Sequence, residues 1–137
     1  ALLPTTTDLR GGVIIPDDTR LAVAQSVATS VVTANSNLRI GLARFNPPAA
    51  DAGPGGQVIA NCGVATATLT TAIAGLTAST NTPLAETYYE VTRYFRGLTS
   101  QWNAGVTYTS PIQYRCQKNF VVVITDGFPT WDSAFPA

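Results

Sequence analysis

Asp126 stands at the end of an apolar run in the stretch NFVVVITDGFPT, between Thr125 and Gly127. Its position supports two chemistries. Asp-Gly is a common turn dipeptide. A carboxylate at the carboxyl end of a buried strand also lies where open α/β sheets bind ligands. Thr82 precedes Pro83 in the stretch NTPLAE. There it reads as a helix cap, with Pro83 in the first turn, or as a hydroxyl ligand. Glu86 and Glu90 are one helical turn apart. That spacing can build a carboxylate pair, but a solvated helix face is the expected outcome. Asp17 and Asp18 read as caps and not as ligands.

Cys62 and Cys116 are the two cysteines. They are too far apart for a Cys-x-x-Cys metal or redox motif. Two readings stand: buried free thiols, or one disulfide, the latter expected if the chain is exported. The sequence contains no His. This removes the commonest general base and the commonest transition-metal ligand, and with them a Ser–His or Cys–His nucleophile within this chain. Zinc would need more ligands than the sequence offers. A Gly-x-Ser-x-Gly elbow and a phosphate loop are also absent, which weighs against an enzyme.

Eight basic and eight acidic residues give a formal net charge of zero over 137 residues. Bulk electrostatics therefore attract neither nucleic acid nor an anionic membrane. Charged residues make up only 12% of the chain, about half the usual share, so the polar surface is expected to be mostly Thr, Ser, Asn and Gln. No apolar run approaches the roughly 18 residues of a spanning helix. With no Met, the sequence is expected to be a processed chain or a piece of a longer one.

The elements that must position these residues follow from periodicity and punctuation. Leu21, Ala24, Ala28 and Val31 recur at helical spacing after Asp17 and Asp18, up to about Asn35. LRIGLARF, residues 38–45, reads as a strand. NPPAADAGPGG, residues 46–56, reads as a loop, and residues 57–60 as a short edge strand. Residues 64–76 read as a short helix. A further helix begins at Pro83, carries a stripe of Leu84, Tyr88, Val91 and Phe95, and ends at Gly97. Glu86 near its start and Arg93 and Arg96 near its end suit the helix dipole. A polar, aromatic loop with Trp102, Tyr108 and Tyr114 leads to the run at 120–124, five apolar residues of which four are β-branched. Continuous apolarity fits a strand covered on both faces. The alternation predicts an α/β fold, a doubly wound, mostly parallel sheet flanked by helices, here incomplete.

LRIGLARF, NTPLAETYYEVTRYF and NFVVVITDG, in that order, resemble a von Willebrand factor A domain. TPLAETYYEVTRYF, SPIQYRCQKNF and VVVITDGFPT together resemble the corresponding region of the type IV pilus tip-associated adhesins, the PilY/PilC type. The resemblance covers about residues 18–132. It implies that residues 1–137 are part of a single von Willebrand factor A-like domain, Rossmann-like in its winding. It also implies a divalent-metal adhesion site, with Thr82 and Asp126 as ligands directly or through water. Mg²⁺ is the expected cation, with Mn²⁺ or Ca²⁺ as alternatives, and hydroxyl and carboxylate oxygens suit it. The family's Asp-x-Ser-x-Ser segment does not occur in this sequence. That segment and the C-terminal strands are expected to lie outside the piece, which leaves metal binding weak or absent in the piece alone.

The implied function is pilus-tip adhesion and type IV pilus biogenesis, without catalysis. The implied partners are a minor pilin or host-surface receptor and the remainder of its own longer chain. The implied location is the bacterial cell surface or pilus tip, reached through the periplasm. A structural domain with a degenerate metal site and a metal-dependent hydrolase are the alternatives.

Overall fold

A computed structural model describes residues 20–47, 54–125 and 127–134. Its elements are α1 (Arg20–Ala34), β1 (Leu42–Phe45), β2 (Gly56–Ala60), α2 (Thr66–Ala74) and α3 (Leu84–Arg96). Order and boundaries follow the expected punctuation closely. Asp17, Asp18 and Asp126 lie outside the described residues. No helix among those residues is long and apolar enough to cross a membrane.

The doubly wound parallel sheet is not formed. Among the described residues the sheet has two strands, β1 and β2, paired antiparallel with Leu42 opposite Ala60, Ala43 opposite Val58 and Phe45 opposite Gly56. Chain length decides this. Residues 46–55 join the strands, and a parallel crossover needs a dozen or more residues, usually with a helix inside. The Pro- and Gly-rich connection allows only a return hairpin. Its base is closed by the Asn46 N–H donating to the Gly55 carbonyl at 3.1 Å and by Asn46 Nδ2 donating to the Pro54 carbonyl at 3.0 Å.

The run at 120–124 is not a strand. It was expected as a central buried strand, but it belongs to no sheet, and Phe120 and Val122 are 80% and 83% exposed. A continuous apolar run shows what a segment could bury. It does not supply the flanking strands that would bury it. Among the described residues the arrangement is thus three helices and a small hairpin, without the sheet of a Rossmann-like or von Willebrand factor A architecture.

The core is small. Val32 of α1, Ala60 of β2 and Leu69 and Ile73 of α2 are buried together, with Ala28, Ile40, Leu42 and Val64 packed against them. Gln25 of α1 adds a polar tie, since its Nε2 donates to the carbonyls of Ile73 at 3.0 Å and Leu76 at 3.1 Å. Carbonyls in the last turn of a helix lack intrahelical donors, and Gln25 supplies one beside the Leu76 N–H that also reaches Ile73. α3 packs on the hairpin and stops at Gly97, which takes the left-handed conformation at φ 66°. Leu98 N–H then returns to the Arg93 carbonyl at 3.0 Å, the closure expected of a glycine-terminated helix.

Candidate functional site

The face that α3 buries is not the expected one. Leu84, Val91 and Phe95 are half-buried and Tyr88 is exposed, while Glu86, Glu90 and Tyr94 form the buried line. Both glutamates are fully buried, at 0% exposure. Burying a carboxyl group is costly unless hydrogen bonds compensate it, and here each oxygen is used. Glu86 accepts the Gly55 N–H on one oxygen and the Ala134 N–H on the other. Glu90 accepts the Gln101 N–H at 3.0 Å and the Tyr108 hydroxyl at 2.6 Å. The two acids therefore staple three otherwise irregular segments to one helix. Gly55 is required at its position. It sits at φ +72°, and a Cβ there would come within 2.4 Å of Trp102.

Tyr108 and Tyr94 complete this seam, edge to face at 5.5 Å and 82°. Burial, followed by the hydrogen bond to Glu90, pushes the Tyr108 hydroxyl up to about 12. Burial also raises the Tyr94 hydroxyl, which accepts the Cys62 N–H at 2.7 Å.

At the N-terminal end of α3, residues 130–134 fold back along the helix. Thr82 N–H donates to Thr130 Oγ1 at 2.9 Å, and Thr130 N–H donates to the Thr82 carbonyl at 3.0 Å. Asp132 accepts the N–H groups of Ala85 at 2.7 Å and Glu86 at 2.8 Å. It is the cap of α3, and it favours the positive end of the helix dipole. Thr82 was expected in that role, but its side chain makes no capping bond. Trp131, between the two clamping residues, holds a left-handed φ of 54°. This conformation costs a non-glycine residue about 1–2 kcal/mol, and the bonds on either side sustain it.

The structure thus brings Thr82 against the segment that follows Asp126. Among the described residues the Thr82 hydroxyl has no hydrogen-bond partner. A threonine hydroxyl is a hard oxygen donor. No group of three Cys, Asp or Glu side chains converges among those residues. Asp126 lies outside them, so its place as a ligand is not described.

Cys62 and Cys116 are free thiols, the first half-buried and the second exposed. Their segments are nevertheless tied together. Arg39 Nη1 donates to the Pro111 carbonyl at 2.8 Å and Nη2 to the Cys62 carbonyl at 3.4 Å.

Sequence reasoning named Glu86 and Glu90 but expected a solvated face where both are buried, and it missed Asp132. A signal existed for the first two. Like charges at i and i+4 destabilise a solvated helix, and no base stands four residues from either acid. No family model matches this sequence, and no curated protein or solved structure is similar to it.

Proposed function

We propose that the chain serves as a non-catalytic binding module of the pilus-tip adhesion kind. Its contact surface is centred on the N-terminal end of α3. In this reading Thr82 and Asp126 hold a divalent cation, Mg²⁺ foremost, and a bound cation supplies positive charge for a carboxylate of a protein partner. That partner is a minor pilin or a surface receptor. The reading rests on the sequence motifs and on one observation, the reciprocal Thr82–Thr130 pair. It places the segment after Asp126 against a threonine whose hydroxyl has no partner among the described residues. Phe128 and Trp131, 91% and 68% exposed on the same segment, support it further, since aromatic residues are enriched in protein contact surfaces.

Calorimetric titration of Mg²⁺ and Mn²⁺ into the protein and into Thr82→Ala and Asp126→Ala tests the reading. Each substitution is expected to weaken cation affinity roughly tenfold or more while leaving the melting transition in place. Equal affinity in wild type and Asp126→Ala would remove Asp126 from the site.

A further inference from the structure

We propose that residues 119–125 are a self-pairing edge through which two copies of this chain associate as antiparallel strands. Two observations carry this. The backbone N–H and C=O groups of residues 119–125 make no hydrogen bond to backbone elsewhere in the described chain. Within it the five apolar side chains from Phe120 to Ile124 are all exposed, from Val121 at 41% to Val122 at 83%. An uncharged, apolar segment with free backbone groups is a template for strand addition.

A second copy is the occupant because the segment is complementary to itself when reversed. With a two-fold axis at Val122, Phe120 stands opposite Ile124, Val121 opposite Val123, and Asn119 opposite Thr125. Apolar residues meet apolar ones and polar meet polar. β-branched and aromatic cross-strand pairs are the favourable ones. The charges that flank the run in sequence, Lys118 and Asp126, are of opposite sign. Antiparallel pairing therefore sets unlike ends together, and a parallel arrangement would set like ends together. The net charge of zero adds no long-range repulsion between copies. An interface of this kind is isologous, the same patch on both subunits.

Light scattering across a dilution series, with the 137-residue chain as it stands, reads the association. The expected mass is twice 14.4 kDa at high concentration, falling on dilution. Deuterium exchange at 120–124 should slow as concentration rises. Val122→Lys sets two like charges on the axis. Because that side chain is already 83% exposed, the substitution buries no charge in the monomer. It should weaken association at least tenfold without changing the circular dichroism of the diluted protein. Lys118→Glu, which sets like ends together, should weaken it to a smaller degree. A monomer at every concentration overturns the proposal. Protected 120–124 amides in a monomer would mean that another segment of the chain covers the edge, and association unmoved by Val122→Lys would mean that another surface mediates it. Open-ended assemblies would replace the closed pair. Each of these three results also overturns the proposal.

Discussion

Tyr108→Phe isolates one bond of the seam that holds the long loop to α3. The hydroxyl donates to Glu90 at 2.6 Å, with Tyr108 at 7% exposure and Glu90 at 0%. Phenylalanine keeps the ring and its edge-to-face contact with Tyr94, so little packing is lost. What goes is a hydrogen bond to an acidic acceptor, about 1.5–3 kcal/mol, and the Glu90 oxygen is left unpaired in a dry site. The expected loss is about 2 kcal/mol in urea or thermal unfolding, with an unchanged denaturant slope. In a double-mutant cycle with Glu90→Gln, the coupling should be about 1 kcal/mol or more. The pH dependence gives a second measure. Folding raises the Tyr108 hydroxyl from 10.0 to about 12, through burial first and then the Glu90 bond. A group raised in the folded state stabilises while it keeps its proton. The contribution is complete below pH 10 and is lost as pH climbs toward 12. A shift of two units corresponds to about 3 kcal/mol at most. Burial raises the Tyr94 hydroxyl as well, so the difference between wild type and Tyr108→Phe is the quantity to plot. It should shrink across that window. A variant within about 0.5 kcal/mol of wild type, with a parallel alkaline profile, would refute the seam.

Two further outcomes can be checked. Asp132→Ala removes the cap of α3 and should cost about 1–2 kcal/mol, read by thermal unfolding; a change below the noise would show that water serves those N–H groups equally well. Under oxidising conditions Cys62 and Cys116, whose segments Arg39 already ties, are expected to join as a disulfide. Non-reducing peptide mass spectrometry decides that, and the long loop closed would add up to about 4 kcal/mol of stability.

Local punctuation was legible, and tertiary donors were not. Pro83 and Gly97 mark both ends of α3, and the Pro- and Gly-rich stretch after Phe45 marks the hairpin connection. The same stretch also carried the answer to the sheet. Its ten residues cannot cross over to a parallel neighbour, so the antiparallel pair could have been read from spacing alone. The buried face of α3 could not. Hydrophobic periodicity selects Leu84, Tyr88, Val91 and Phe95, yet the line that is buried runs through Glu86, Glu90 and Tyr94. What decides the face is where loop N–H groups at 55, 101 and 134 need acceptors. Those donors lie 11 to 48 residues away in sequence, beyond the reach of any window-based pattern.

The cap of α3 bears directly on whether Thr82 can serve a cation. A threonine hydroxyl that accepts from the second or third N–H of its helix is committed to that bond. Cap and ligand would then compete for one side chain. The structure removes the competition by giving the cap to Asp132, 46 and 47 residues beyond the N–H groups it serves. Thr82 keeps its place through backbone bonds to Thr130, and its hydroxyl stays unused. The clamp therefore has two consequences at once: it terminates the helix, and it leaves a hard oxygen at the helix start. The dependence also has a direction. If Asp132 is removed, the Ala85 and Glu86 N–H groups lack their acceptor, and the Thr82 hydroxyl, three and four residues back, is placed in sequence to cap them. Loss of the distant carboxylate should then weaken cation affinity as well as stability, although Asp132 itself is no ligand in this reading. Titrating the same Asp132→Ala protein with Mg²⁺ separates the two consequences. Stability lost with affinity retained would show that the Thr82 hydroxyl is indifferent to the cap.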